Sequence, residues 1–153
     1  MKIALSSDHR GFRAKEQLKN YLERAGHTLK DLGCPDTTSC DYPDTGIAGA
    51  ESVAHGDMDR GILFCGSGIG MSIAANKVKG VRAALCHDEL TAEMSRRHNN
   101  ANVLCLPADL LGDELIRRVV DIWLRTDYEA GRHDRRLHKI AEYERQCKHT
   151  KAQ

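Results

Sequence analysis

Apolar residues along this chain fall into two rhythms. Short continuous runs, KIALSS (2–7), GILFC (61–65), VRAALC (81–86) and NVLCLP (102–107), read as buried strands. HTLKDLG (27–33) alternates apolar and polar positions, as a strand near a sheet edge does. Between them lie stretches with helical spacing. These are FRAKEQLKNYLERAG (12–26) with Gly26 as its stop, TGIAGAESVAHG (45–56), MSIAANKVKG (71–80) ended by Gly80, LTAEMSRRH (90–98) and DELIRRVVDIWLRT (113–126). The tail from Tyr128 is charged and carries no strand pattern, and it predicts a C-terminal helix over about 133–150.

Continuous strands separated by helices predict an α/β fold: an open, doubly wound, five-stranded parallel sheet with helices on both faces. The length of 153 residues suits one domain spanning 1–153. This organisation locates a site before any motif is considered, because open parallel sheets bind ligands beyond the carboxyl ends of their strands. The residues placed there are Asp8 to Gly11, Cys65 to Gly70, Cys86 to Asp88, and Pro107 to Asp109.

Composition narrows the partners. Apolar residues make up 41% and charged residues 29%, the profile of a soluble globular protein. A net charge of +1 provides no field for nucleic acid or an anionic membrane, so neither is expected as a partner. The N-terminus has no signal-peptide pattern, and no apolar stretch reaches a membrane-spanning length. Three of the six cysteines end strand-like runs, where a small hydrophobe fits, so reduced thiols and a cytoplasmic setting are expected. No C-x-x-C pair occurs, and no zinc site is expected.

The stretch CGSGIGMSIAANK (65–77) sets three glycines at alternate positions ahead of a helix. It departs from the dinucleotide fingerprint, which needs G-x-G-x-x-G, because Met71 follows Gly70; only Asp88, about 20 residues on, fits that pattern. It lacks the Lys of a Walker loop and the Arg of a cysteine phosphatase loop. What remains is a nest of backbone N–H groups that favours negative charge, including an oxyanion formed in a transition state. Cys65 at its mouth would have its thiolate favoured, and Ser67 adds a hydroxyl that both donates and accepts. The plainer reading is a buried cysteine and a tight turn.

Other polar clusters have two readings each. His98 is a candidate acid or base near neutral pH, or a helix-end residue favoured by the dipole. Asn99 can orient hydroxyls or serve as an ordinary loop residue. Arg132 and Arg136, four apart, can grip a phosphate or form a solvated basic face. Asp8 and His9 can bind sugar or phosphate, and Asp8 can also cap the first helix.

With these residues in view, the chain resembles the ribose-5-phosphate isomerase type B family, which also holds galactose-6-phosphate isomerase subunits. The resemblance rests on SSDHRGF, DYPD, CGSGIGMSIAANK, VRAALC, SRRHNNANVL and YEAGRH, in the family's order. It implies a Rossmann-like sheet and an aldose–ketose isomerase without cofactor or metal. Its sites would lie at the interface of a homodimer, sometimes paired into tetramers. By this resemblance Cys65 is the base moving a proton between C2 and C1 through a cis-enediolate, and Ser67 shuttles the O1/O2 proton. The amides of Gly66, Ser67, Gly68, Ile69 and Gly70 hold the enediolate oxygens. His98 opens the furanose ring, with Asp8 as a helper. Asn99 and Tyr42 contact the sugar; His9, Arg132 and Arg136 contact the phosphate.

One position departs from that pattern. Many ribose-5-phosphate members carry a phosphate-contacting Arg where this chain reads Asp109, in LPADLLGDEL (106–115). A carboxylate beside a phosphate is unfavourable. The resemblance makes ribose 5-phosphate the expected substrate, and Asp109 motivates the alternative of a tetrose, another pentose or a hexose phosphate. A non-catalytic nucleotide- or sugar-phosphate-binding regulator is a further reading, resting on Asp88 and the glycine loop alone.

Overall fold

The computed structural model describes residues 1–146. Five strands, β1 (Lys2–Ser7), β2 (Thr28–Asp31), β3 (Arg60–Cys65), β4 (Ala83–Leu85) and β5 (Val103–Pro107), form one parallel sheet in the order β2-β1-β3-β5-β4. The helices are α1 (Phe12–Arg24), α2 (Tyr42–Ala54), α3 (Ile69–Ala75), α4 (Glu89–Asn99), α5 (Asp113–Arg125) and α6 (Asp134–Gln146), with a short 3-10 turn at Gly131–His133 before α6. The doubly wound parallel sheet read from the sequence is thus present. The last residues of the predicted C-terminal helix, 147–150, lie outside the described residues.

Alternation along the strands sends side chains to two cores. Ile3, Leu5, Ile62, Phe64, Leu104 and Leu106 meet Leu18 and Leu22 of α1 and Val119 and Trp123 of α5 on one face. Ala4, Leu63, Cys65, Val103 and Cys105 meet Ala50 and Val53 of α2 and Met71 and Ala75 of α3 on the other. A strand buried on both faces needs apolar residues throughout, which is why β1, β3 and β5 read as unbroken apolar runs. β4 is shorter than its run suggested. It is an edge strand, and the Arg82 side chain before it donates to the Asn99 and Asn100 carbonyls.

Buried polar groups fix how the elements close. Lys15 of α1 is 1% exposed, and its ammonium donates to both carboxylate oxygens of Asp31 at 2.8 and 2.6 Å. Burial raises the Asp31 pKa, but the Lys15 bond, the Gly33 amide and the charges of Lys15 and Lys19 outweigh it and leave the value lowered. Lys15 also donates to the Cys34 carbonyl, tying α1 to the loop after β2.

That loop corrects the expectation of six reduced thiols. Cys34 and Cys40 form a disulfide, with Cα atoms 6.8 Å apart. The spacing carries no recognisable pattern, but the loop folds back toward His9, whose Nδ1 lies between the Cys40 N–H and carbonyl at 3.3 and 3.2 Å. Free-thiol usage therefore no longer argues for a cytoplasmic setting. No helix among the described residues is long and apolar enough to cross a membrane.

Candidate active site

The strand order reverses between β1 and β3, and a crevice opens there beyond their carboxyl ends. It is a hollow of about 500 Å³ lined by Asp8, Arg10, Tyr42, Cys65, Gly66, Ser67, Gly70, Asp109 and Leu110. β1 delivers Asp8 and Arg10, β3 delivers Cys65, and the turn after β5 delivers Asp109. The ladder extends past the strands: the Ala108 and Asp109 amides donate to the Cys65 and Gly66 carbonyls at 2.9 and 3.0 Å.

The glycine loop works by absence of side chains. Gly68, at φ 73°, donates its N–H to the Cys65 sulfur at 3.1 Å. A Cβ on Gly68 would fall 2.4 Å from Leu85 Cδ1. A Cβ on Gly70 would strike the Tyr42 ring at 2.9 Å, so the bare Gly70 lets that ring lie over the loop. The Ile69 amide bonds the Ser67 hydroxyl at 3.4 Å, and Ser67 itself is exposed to the crevice.

Three free thiols occur among the described residues, and only Cys65 lines the crevice. Burial pushes the Cys105 thiol well above its usual range, and burial pushes Cys86 up to about 11. Both are packing residues without chemistry to offer at neutral pH.

Asp8 sits 5% exposed and accepts the Arg10 and Gly11 amides at 2.9 Å each through one oxygen. It therefore organises the turn before α1, while Gly11 itself is the helix cap. Its second oxygen is free of these bonds. Asp88, the acid of the nucleotide reading, is spent as a cap: it accepts the Thr91 amide at 2.7 Å at the start of α4.

His98, Asn99, Arg132 and Arg136 are not in this crevice. α4 runs back along the sheet, so its last turn lies near the amino ends of the strands. There the Asn102 carbonyl takes the Gly61 amide, and the Arg82 carbonyl takes the Asn102 amide. β3 separates this region from Cys65 by roughly 15 Å of strand rise. One chain therefore carries two clusters at opposite ends of its sheet.

The second cluster contains two residues that sequence reasoning passed over. His133, 3% exposed, stacks on His98 with ring centroids 4.4 Å apart and planes 11° apart. Glu129 lies 3.7 Å from His98 Nε2 and 3.8 Å from His133 Nε2. The Arg97 bond, stronger here than the opposing burial, lowers the Glu129 pKa. Burial first, then His98, Arg132 and Arg136, lower that of His133. The GRH triplet was the available signal, but RHDRR reads as an exposed basic face.

The ligating atoms of His98, Glu129 and His133 lie within 4.8 Å of one another. They do not suit a metal. Arg97 already pairs with Glu129, and Arg132 and Arg136 each place a guanidinium nitrogen 3.4 Å from a nitrogen of the His133 ring. A divalent cation would add charge to a group already rich in it. A second hollow, of about 300 Å³, lies between α6 and the β4 edge and is lined by Val81, Ala84, Leu137 and Ile140 with Arg82 and Glu144. Asn99 also lines it, and Glu144 is its one carboxylate; no thiol, hydroxyl or imidazole lies there, so the thiol and hydroxyl of the candidate chemistry stand together only in the crevice at Cys65.

A parallel sheet with a cysteine, a hydroxyl and a run of backbone amides at its switch point is a crevice suited to a small polar substrate whose reaction develops negative charge. The ribose/galactose isomerase family matches residues 3–140, and the chain belongs to that family. It is 42% identical to the ribose-5-phosphate isomerase B of Escherichia coli, covering 94% of this chain and 96% of that one. It is 39% identical to the D-erythrulose-4-phosphate isomerase of Pectobacterium atrosepticum, covering 97% and 99%. The solved ribose-5-phosphate isomerase B of Clostridium thermocellum superposes with a TM-score of 0.94 at 45% identity, covering 95% and 99%. The chain is accordingly an aldose–ketose sugar-phosphate isomerase.

Proposed function

We propose that the enzyme interconverts ribose 5-phosphate and ribulose 5-phosphate through a cis-enediolate. The observation that carries this reading is Cys65, the one free thiol in the crevice, with the Gly68 amide on its sulfur and Ser67 beside it. After ring opening, the Cys65 thiolate removes the C2 proton and becomes a thiol. The electron pair moves to the carbonyl, leaving an enediolate held by the loop amides. Ser67 passes a proton from O2 to O1, and Cys65 returns its proton to C1, which completes the ketose.

Ring opening needs an acid–base group, and His98 fits that task across an interface between two copies of the chain. Two observations support such an assembly. The clusters at Cys65 and His98 are separate within one chain. α6 has no buried residue and exposes Ile140 and Tyr143. In a homodimer each crevice would receive His98, Asn99, Arg132 and Arg136 from the other copy.

A tetrose phosphate is the second reading, favoured by Asp109 in place of the family's Arg and by the relative named for D-erythrulose 4-phosphate. Purified enzyme assayed against tetrose, pentose and hexose phosphates ranks them by kcat/KM. Ribose 5-phosphate at the head of that ranking supports the first reading, and a tetrose phosphate far ahead of it replaces that reading with the second. Cys65→Ala should abolish turnover while retaining sugar-phosphate binding; near-wild-type activity would remove Cys65 from its role.

A further inference from the structure

Asp109 raised a difficulty: a carboxylate stands where a phosphate-binding cation is expected. The structure shows what that carboxylate holds. Arg10 Nε donates to Asp109 Oδ2 at 2.7 Å, and the Arg10 NH2 group lies 2.5 Å from the same oxygen. The pair bridges the turn after β1 to the turn after β5 and spans the crevice wall. It rests directly on Gly66: a Cβ there would sit 2.5 Å from Asp109 Oδ2 and 2.7 Å from Arg10 Nε. The guanidinium therefore lies over the residue next to Cys65.

We propose that Arg10 is the cation that takes the substrate's phosphate from this protomer, and that Asp109 is its positioning residue. This deepens the sugar-phosphate isomerase reading and rests on it. A guanidinium has donors along more than one edge. Asp109 occupies the Nε edge, and the NH1 edge has no protein partner among the hydrogen bonds described above. The Arg10 side chain is 60% exposed, so that edge is open to a ligand. Its backbone is also fixed, because Asp8 accepts the Arg10 amide at 2.9 Å. Two carboxylates thus hold the residue at both ends, which reduces the rotamer freedom lost on binding. The carboxylate at position 109 is not aimed at phosphate; its charge is already matched by Arg10. The cation thus stands on the turn after β1 instead of the turn after β5, beside the same Gly66, where it bears on the length of sugar phosphate that fits.

The test measures both turnover and binding. Arg10→Gln should raise KM for the preferred sugar phosphate roughly 10- to 100-fold, with the loss falling on KM rather than kcat, as expected for a lost charge-assisted bond. Asp109→Asn should raise KM less, and Asp109→Glu should recover part of that loss; a purely structural role would instead track thermal stability. The double variant Arg10→Gln with Asp109→Arg should return KM toward wild type by restoring a cation to the crevice. Inorganic phosphate serves as a probe that needs no turnover. It should raise the melting temperature of wild type and of Cys65→Ala, and raise that of Arg10→Gln much less. An unchanged KM and an undiminished phosphate shift in Arg10→Gln overturn the proposal. Wild-type protein that binds phosphate through Arg10 yet isomerises no sugar phosphate would instead overturn the functional reading and leave this one standing.

Discussion

Cys65 and His98 stand at opposite ends of one sheet, Cys65 where β3 finishes and His98 in the last turn of α4 beside the strand beginnings. If both serve a single substrate, they come from different copies. Cys65→Ala and His98→Asn should each be impaired alone. Refolded together, random reassortment places a heterodimer in about half the molecules, each with one intact site, so about a quarter of wild-type activity should return. No recovery on mixing would confine catalysis to residues within one protomer.

The His133 imidazole is held below its ordinary pKa near 6.5 by burial and by the charges of His98, Arg132 and Arg136. With the folded value depressed, the unfolded chain takes up the proton first as pH falls. The stabilisation from neutral His133 is therefore complete above about 6.5 and is lost as pH drops through the folded value. Urea unfolding at pH 7.5 and pH 5.5 should show weaker stability at the lower pH. His133→Asn should narrow that gap; an equal gap in both proteins would exclude His133 as its source.

Gly68 combines a positive φ with no room for a side chain. Gly68→Ala adds left-handed strain and a collision with Leu85, for a combined cost of about 2–4 kcal/mol. Its amide should also move off the Cys65 sulfur, so kcat should fall with stability. Gly80 is also at positive φ but has open space around it, so Gly80→Ala should keep full kcat. Equal kcat losses at the two positions would argue against a role for the Gly68 amide.

The Cys34–Cys40 bridge closes a short loop, and its removal by Cys34→Ser with Cys40→Ser should cost about 2 kcal/mol. Both cysteines fall in one tryptic peptide, residues 31–60. Isolated without reductant, that peptide should be lighter by two hydrogens and accept alkyl groups only after reduction. Free alkylation without reductant would show two thiols in solution.

Much of this was legible in the chain. GILFC marks β3 to its last residue because a strand covered on both faces must be apolar throughout, and the same pressure marks β1 and β5. The edge strand β4 is half-buried, and its apolar run overstates it. The glycine loop announced itself because its requirements are local. Arg10 with Asp109 did not, since 99 residues separate partners that only strand order brings together. His133 was hidden for a related reason: its charged neighbours suggest a wet surface, and only the stack on His98 dries it. The disulfide follows from a loop path that no spacing rule encodes.

The two cores close without any contribution from α6, none of whose residues is buried. Apart from Arg136, which lies against the buried His133, substitutions in α6 therefore leave the two cores untouched and are free of the packing constraint that holds α1 to α5 to their sequences. Related chains that share this sheet and this crevice can diverge in α6 at little cost to folding. If copies of this chain pair through α6, that helix is the part best suited to tell self from near-self where several such chains coexist in one cell.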